Sequence, residues 1–258
     1  MPEFTRKSLF KKILKMGISG ELYDISRKDY EGFFYGSIDR YSIIADRLQG
    51  RKRILDIGSG NGLLLSILHE LGHECYAVDW SDVYKNEKNG VFQKKTIVFK
   101  KCFVEVETLP FEDNFFDAVT CCQVFEHFTH SHLHAIREIH RTLKPGGLVE
   151  IDVPNAVDLR NRLRVLRGKQ ITWDYEKDYL YKEPIIYNNR SFFDRHNREF
   201  TKQELKTLLK AGGFKEIDVK HLKSSRYRSG FEKIKSMGSA IRDFIPSFRK
   251  SIIGFGIK

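Results

Sequence analysis

A glycine-rich loop at residues 56–62, with the sequence D-I-G-S-G-N-G, constrains the fold more than any other stretch of this chain. The apolar run before it predicts a strand over Arg53–Ile57, and the pattern after it predicts a helix over 62–71. Such a strand–loop–helix unit binds nucleotides, because glycines let the backbone approach a ligand and the helix N-terminus offers free N–H donors. The loop therefore predicts an α/β domain with a nucleotide-containing ligand.

The rest of the chain repeats this alternation of short apolar runs and helical patterns, which is typical of a mostly parallel sheet. Further elements are predicted at 74–79, 96–104, 116–122 and 148–153 (strands), at 130–143 (a helix) and at 144–147 (a turn). After residue 200 the pattern predicts a capped helix that begins at Thr201, a strand at 214–222 and a last strand at 251–257.

Three segments precede or interrupt this α/β pattern. Residues 1–50 predict an N-terminal helical segment, so that 51–258 would form the main domain. Residues 155–199 contain no clear strand and predict a lid-like insertion on the acceptor side of the site. Residues 223–249 predict a basic helical insertion, whose helix rests on the helical spacing of five apolar residues: Phe231, Ile234, Met237, Ile241 and Phe244.

Three positions distinguish among nucleotide ligands. A dinucleotide-binding loop G-x-G-x-x-G would need glycine where this chain has Leu63. Asp56 is poorly placed for a pyrophosphate but suits an ammonium group such as that of methionine. Asp79 ends the second predicted strand, where a carboxylate can accept hydrogen bonds from both ribose hydroxyls. The sequence therefore favours S-adenosylmethionine (SAM) over NAD and FAD.

The order and spacing of these motifs resemble the class I SAM-dependent methyltransferases of types 11 and 23, over roughly residues 40–154 and 196–217. The resemblance implies a three-layer, doubly wound α/β fold with seven strands in the order 3-2-1-4-5-7-6 and helices on both faces. It also implies that Glu105 receives the adenine amino group and that the backbone near Gln123 receives the SAM amino group. The predicted cofactor-binding residues are Asp56, Gly58, Ser59, Gly60, Asn61, Gly62, Asp79, Trp80, Ser81, Glu105, Val106 and Gln123.

Two histidines are the candidate catalytic residues. His127 follows the fourth predicted strand, at the sheet edge where ligands bind, and His196 precedes the helix that begins at Thr201. Either imidazole can act as the base that takes the proton of an acceptor hydroxyl. The alternatives are a structural link beneath the cofactor for His127 and a hydrogen bond that anchors a loop for His196.

The sequence predicts no metal ion. Some relatives, including small-RNA 2′-O-methyltransferases and ubiquinone-pathway O-methyltransferases, bind a divalent cation with the motif E-x-x-E-H. This chain has Gln123 at the first position, followed by Glu126 and His127, and so lacks a carboxylate that a hard cation prefers. None of the four cysteines has metal-ligand spacing.

The formal net charge of +11 allows an anionic partner such as nucleic acid, a membrane surface or a phosphorylated substrate. The insertion loosely resembles methyltransferases of glycan biosynthesis, so we expect an O-methyltransferase that acts on a small molecule or a glycan, free or lipid-linked, and converts SAM to S-adenosylhomocysteine. An RNA methyltransferase is the first alternative, disfavoured because no RNA-binding module is visible. The second is a non-catalytic SAM-binding protein, or a membrane-surface protein that uses the 231–244 helix.

The cellular compartment is predicted from two features that the sequence lacks, a membrane span and a secretory signal. No apolar run reaches the ~18–20 residues of a membrane span, and lysines interrupt the apolar residues near the N-terminus, where a secretory signal would lie. We therefore expect a cytoplasmic protein that can contact an anionic membrane peripherally. The sequence does not indicate an oligomeric state.

Overall fold

The computed structural model describes residues 3–18, 27–82, 91–223 and 242–258. The strands in these residues are β1 (Arg53–Ile57), β2 (Glu74–Asp79), β3 (Val98–Lys101), β4 (Phe116–Cys122), β5 (Leu143–Pro154), β6 (Ile185–Tyr187), β7 (Arg190–Phe192), β8 (Lys215–Leu222) and β9 (Ser251–Ile257). The α-helices are α1 (Glu3–Ile18), α2 (Arg27–Arg47), α3 (Leu63–Glu70), α4 (Val91–Lys94), α5 (His132–Thr142), α6 (Leu159–Leu166) and α7 (Lys202–Ala211).

Seven of these strands form one sheet in the order β3-β2-β1-β4-β5-β9-β8, in which β9 runs antiparallel to both of its neighbours. With β6 and β7 set aside as a separate hairpin, this is the order 3-2-1-4-5-7-6, and the predicted fold class is confirmed. The strands β1, β2, β4 and β5 are parallel, so their carboxyl ends meet at one edge of the sheet. Ligands bind at this edge in doubly wound sheets.

Helices cover both faces of the sheet because each carries an apolar stripe that has to be buried. On one face α1, α2 and α3 pack together, and Ile13 and Ile44 are fully buried there. On the other face α5 and α7 pack, with Leu205 fully buried. The division into a segment 1–50 and a main domain 51–258 stays a prediction.

The insertion at 155–199 contains two strands, so the prediction that it has none is wrong. β6 and β7 form an antiparallel hairpin joined by Asn188 and Asn189, whose φ angles are 46° and 58°. Asparagine tolerates this left-handed conformation, and two such residues make the tight turn that matches the twist of paired strands. Each strand is only three residues long, too short for an alternating pattern to show in the sequence.

The turn predicted at 144–147 is also corrected, because β5 extends through it from Leu143 to Pro154. Its pairing with β4 is irregular: Phe116 pairs with Leu143, but Ala118 pairs with Leu148. The extra residues of β5 form a bulge in which Gly146 has a φ of 75°. The glycines therefore mark a bulge within a strand.

The helix predicted at 231–244 lies outside the described residues, apart from its last three positions. The same holds for most of the predicted insertion 223–249, of which Pro246–Phe248 forms a short 3₁₀ helix. Within the described part, no helix combines the length and the apolar character that crossing a membrane requires.

Candidate active site

The glycine loop turns sharply between β1 and α3 and lies against the chain that follows β4. Gly58 donates its N–H to the carbonyl of Val78 at 2.8 Å and has a φ of 68°. A Cβ atom on Gly58 would lie 2.3 Å from Cγ2 of Val124. Glycine is therefore required here by close approach as well as by backbone conformation.

The other side of the loop offers polar groups to a ligand. The space where a Cβ of Gly60 would stand has no protein atom within 4 Å. The buried hydroxyl of Ser59 has no hydrogen-bond partner among the described residues. Helix α3 begins at Leu63, and its N-cap Gly62 has no side chain to cap it. A buried hydroxyl without a partner beside a helix N-terminus fits a bound polar ligand.

Asp79 lies at the end of β2, beside the glycine loop. Its Oδ2 accepts the N–H of Gly60 at 2.9 Å, and its Oδ1 accepts the N–H of Ser81 at 3.1 Å. Burial raises the pKa of this carboxyl above its usual range. Each carboxylate oxygen keeps a further lone pair, so the group can still accept two hydroxyls of a ribose.

Asp56 lies deeper, on the sheet face that α2 covers. It is buried and accepts a hydrogen bond from the hydroxyl of Thr120 at 2.7 Å. Burial raises the pKa of the Asp56 carboxyl to about 7. A positive charge nearby would favour the ionised carboxylate.

A cavity opens at the carboxyl edge of the sheet, between the strand ends and the insertion. Six predicted residues line it: Gly58, Asp79, Trp80, Glu105, Gln123 and His127. The other predicted residues are not among those that line it: Asp56, Ser59, Gly60, Asn61, Gly62, Ser81, Val106 and His196. The lining residues that sequence analysis did not predict include Phe103, Phe128, Ile185 and Asp194. The last two belong to the insertion, which therefore contributes to the cavity wall.

Glu105 is held by a histidine that the sequence did not single out. The Nδ1 atom of His130 lies 2.8 Å from Oε1 of Glu105, and the backbone N–H of His130 donates to the same oxygen. The two residues are 25 positions apart, so no local pattern indicates the pair. The pair fixes the Glu105 carboxylate at the cavity wall.

Gln123 directly follows β4 and has a strained backbone conformation, with a φ of 56°. Its side-chain Nε2 donates to Oδ1 of Asp152 at 2.5 Å, and its N–H donates to the carbonyl of the same residue at 2.9 Å. Arg40 of α2 donates to the same carboxylate oxygen at 3.1 Å. Non-glycine residues with positive φ persist only where their surroundings hold them, and they cluster at functional sites.

The hairpin of the insertion closes one side of the cavity with aromatic rings. The ring of Phe103 lies 4.4 Å from that of Phe192 and 4.6 Å from that of Tyr187. The Tyr187 hydroxyl donates to Oε1 of Glu107 at 2.6 Å. The hairpin is therefore fixed to the loop after β3 by both apolar and polar contacts.

Glu126, His127 and His196 come together beside this cavity. The imidazole rings lie 4.8 Å apart at their centroids and nearly perpendicular, at 86°. Both carboxylate oxygens of Glu126 and the Nδ1 atoms of both histidines are buried, without a hydrogen-bond partner in another described residue. The Oε1 atom of Glu199 stands 3.9 Å from Nδ1 of His196, too far for a hydrogen bond. These four buried polar atoms without a described partner indicate a binding site for a polar ligand or an ion.

Burial determines the charge state of this cluster. It raises the pKa of the Glu126 carboxyl well above its usual range. It also lowers the pKa of His127, as does the neighbouring His196. At neutral pH the His127 ring is therefore uncharged, and one of its nitrogens carries a free lone pair.

The segment around His196 is held by the backbone rather than by its own ring. Asn197 and Arg198 donate their N–H groups to the carbonyl of Glu126, at 2.8 and 3.2 Å. The Asn197 side chain donates to the carbonyl of His127 at 2.8 Å. Since these bonds anchor the loop, the His196 ring is left available for another role.

The three clustered residues can hold a metal ion, since one ligand atom from each lies within 4.8 Å of the others. The expectation of no metal rested on Gln123 and took no account of His196, which lies far away in the sequence. A second group of this kind consists of Cys122, Glu150 and Asp152. There Arg40 already supplies a positive charge to Asp152.

Comparisons with known proteins agree with this geometry. A family model described as "Methyltransferase domain" matches residues 28–219. An uncharacterized protein of Methanocaldococcus jannaschii is 31% identical over 159 residues, which are 60% of this chain and 59% of that protein. The mitochondrial ubiquinone biosynthesis O-methyltransferase of Mus musculus is 34% identical over 131 residues, 48% of this chain and 34% of that protein. This chain thus spans only about a third to three fifths of the length of these two relatives.

The fold also resembles solved structures. The crystal structure of a SAM-dependent methyltransferase from Archaeoglobus fulgidus superposes with a TM-score of 0.53, and the match covers 88% of this chain and 99% of that one. The sequence identity is 18%, so this likeness concerns the fold alone.

Proposed function

The chain belongs to the class I SAM-dependent methyltransferases, and from that membership we propose that it transfers the methyl group of SAM to a hydroxyl oxygen of a small-molecule or glycan acceptor. The observation that carries the choice of oxygen is the cluster of Glu126, His127 and His196 beside the cavity. A hydroxyl has to lose its proton when it is methylated, and a buried neutral imidazole is suited to receive it. The mouse relative, which is an O-methyltransferase by name, supports the same choice.

SAM, when bound, supplies a methyl group that is already activated by its sulfonium. The protein therefore has to bind SAM and the acceptor, align the acceptor oxygen with the methyl group, and remove the hydroxyl proton. In this proposal Asp79 accepts the ribose hydroxyls and Glu105 accepts the adenine amino group. The SAM ammonium is received by Asp56 and by the backbone carbonyl of Gln123. The hydroxyl of Ser59, which has no partner among the described residues, and the open space at Gly60 support this placement, because both leave room for contacts with a ligand.

His127 receives the acceptor proton in this proposal. It lines the cavity, and its lowered pKa keeps the ring neutral at physiological pH. One carboxyl oxygen of Glu126 lies within 4.8 Å of a ring nitrogen of His127. The ring centroid of Trp173 lies 4.3 Å from that of His196, with the rings tilted by 34°. Trp173 is 40% exposed, so it offers an aromatic face on which a sugar ring can stack.

Transfer of label from methyl-labelled SAM tests the proposal. The full chain is incubated with labelled SAM and with fractions of hydroxylated small molecules, glycans and total RNA. We expect label in an ether-linked methyl group of a small molecule or glycan. Label in RNA, with activity that falls steeply as salt is raised, would instead establish the RNA methyltransferase. SAM binding without any transfer would leave a non-catalytic SAM-binding protein.

A divalent cation held by Glu126, His127 and His196 is a second candidate role for the cluster. A fully buried carboxylate without partners is unstable, and a cation would satisfy its oxygens and both imidazoles together. Two imidazoles and one carboxylate suit Zn²⁺ or Mn²⁺ better than Mg²⁺. Such an ion would lower the pKa of a bound hydroxyl and so assist its deprotonation.

Calorimetry with Zn²⁺ and Mn²⁺ tests this second role without reference to activity. We expect one ion to bind per chain, and the Glu126→Gln variant to bind it at least about tenfold more weakly, because the charged ligand is lost. Glu112→Gln is the matched control, since Glu112 is exposed and remote from the cluster. If neither ion binds, or if Glu126→Gln binds as well as the parent chain, the cluster acts as a base without a metal.

A further inference from the structure

One face of the insertion leaves large apolar side chains in water. Helix α6 exposes Leu166 to 82%, Val165 to 60% and Leu163 to 40%. The one residue of this helix that is buried is polar: Asn161, whose Nδ2 donates to Oε2 of Glu199 at 2.7 Å. Asp158 caps the helix by accepting the N–H of Asn161. The helix is therefore attached to the protein by hydrogen bonds, and Leu163, Val165 and Leu166 are exposed.

This arrangement reverses the usual order of an amphipathic helix, which buries its apolar stripe. It also continues beyond α6. Eight of the fourteen large apolar side chains that are most exposed in the described part lie between residues 163 and 186. In the segment before β9, Phe244 is 87% exposed. The guanidinium carbon of Arg162 lies 5.4 Å from the ring centroid of Phe248 in the same segment. Such a concentration of exposed apolar side chains in one segment of a folded protein indicates an interaction site.

Basic residues alternate with these apolar residues along α6 and the turn after it. Between Asp158 and Asp174 the chain has five basic residues and no acidic one; the five are Arg160, Arg162, Arg164, Arg167 and Lys169. None of the five forms an ion pair with a residue that the structure describes. We call these basic residues, together with Leu163, Val165 and Leu166, the α6 surface.

We propose that the α6 surface docks on an anionic lipid bilayer. Exposed leucine and valine side chains enter the boundary between headgroups and acyl chains, which removes them from water. Arginine and lysine extend past them to the lipid phosphates, and an anionic leaflet attracts them at a distance. A nucleic acid would neutralise the same charges, but it would leave the aliphatic side chains exposed. The combination of basic and aliphatic groups on one short helix therefore favours lipid.

The docked surface would lie next to the candidate active site. Arg164 donates from Nε to the carbonyl of Gln170 at 2.6 Å and from Nη2 to that of Thr172 at 3.4 Å, which ties the following loop to α6. That loop leads directly to Trp173, whose ring stacks on His196. A membrane-bound chain would thus present its cavity to acceptors that are dissolved in, or linked to, the lipid layer. This consequence rests on the proposed function, whereas the docking itself does not.

Sedimentation with vesicles tests the docking in the absence of SAM and acceptor. The full chain is mixed with vesicles of phosphatidylcholine alone or with a third of phosphatidylglycerol. We expect it to pellet with the anionic vesicles and to be released as salt is raised, because charges contribute to the attraction. Two double variants, Leu163→Ser with Leu166→Ser and Arg160→Glu with Arg167→Glu, should each bind at least about tenfold more weakly.

Matched controls separate this surface from the net charge of the chain. Lys206→Glu with Lys210→Glu removes the same charge from the exposed side of α7, and Val98→Ser removes an exposed apolar group from β3. Both should bind vesicles like the parent chain. If the α6 double variants also bind like the parent chain, or if the parent chain binds RNA but not anionic vesicles, the proposal is wrong. Either failure leaves methyl transfer unaffected, so it is distinguishable from failure of the proposed function.

Fluorescence gives an independent measurement, because the chain has only two tryptophans. In a Trp80→Phe variant, Trp173 is the remaining reporter beside the α6 surface. Its emission should shift to shorter wavelength when anionic vesicles are added, and brominated lipids should quench it. An unchanged spectrum in vesicles that bind the protein would place another surface on the membrane.

Discussion

The His127→Asn variant should lose kcat for methyl transfer by a factor on the order of 10³ while it keeps its affinity for SAM. Asparagine retains a polar side chain but has no lone pair basic enough to take the acceptor proton. His127 also lines the cavity, and its lowered pKa leaves the ring neutral and able to take a proton. The measurement is steady-state kinetics with the labelled acceptor, together with calorimetry of SAM binding.

His221→Asn is the matched control for this experiment. His221 is a partly buried histidine of β8, and its replacement should change neither kcat nor SAM affinity. His196→Asn should lower kcat less than His127→Asn does, because the structure does not place His196 on the cavity wall. If His127→Asn retains parental kcat, His127 is a structural link, and the proton has another acceptor.

The Asp79→Ala variant should bind SAM on the order of 10²–10⁴-fold more weakly, because two hydrogen bonds to a charged group are each worth ~1.5–3 kcal/mol. The loss has two physical sources. The carboxylate is the expected acceptor for the ribose hydroxyls, and it also holds the glycine loop through the N–H of Gly60. Calorimetry with SAM and with S-adenosylhomocysteine measures both affinities.

Two further variants identify which source dominates. Asp79→Asn keeps one acceptor oxygen for the loop but loses the charge, so it should fall between Asp79→Ala and the parent chain. Glu112→Ala removes an exposed carboxylate and should leave SAM affinity unchanged. Unaltered affinity in Asp79→Ala would contradict the ribose assignment.

The central sheet could be predicted because its signals are local. Each strand and helix of the α/β core is encoded by a short run of neighbouring residues, and the order of these runs is typical of one sheet topology. The short hairpin at Asn188 and Asn189 was not predicted, because strands of three residues are too short to show an alternating pattern. The bulge in β5 was predicted as a turn, because the sequence does not distinguish glycines that end a strand from glycines that bend one.

The cofactor loop was likewise recognisable from its residues, since Gly58, Gly60 and Gly62 are needed for backbone reasons that act within a few positions. The contacts that complete the site are not local. His130 meets Glu105 and Gln123 meets Asp152 only because the strand ends converge at one edge of the sheet. The spacing of residues along the sequence does not predict such contacts.

The chain by itself therefore determined the fold class and the nucleotide loop, because both follow from hydrophobic periodicity and from the backbone freedom of glycine. The tertiary structure alone decided that His196 joins Glu126 and His127, and that buried polar atoms there have no partner among the residues that the structure describes. It also decided that α6 buries Asn161 and exposes Leu163 and Leu166. Burial and long-range contact depend on how distant segments pack, and no pattern of neighbouring residues contains that information.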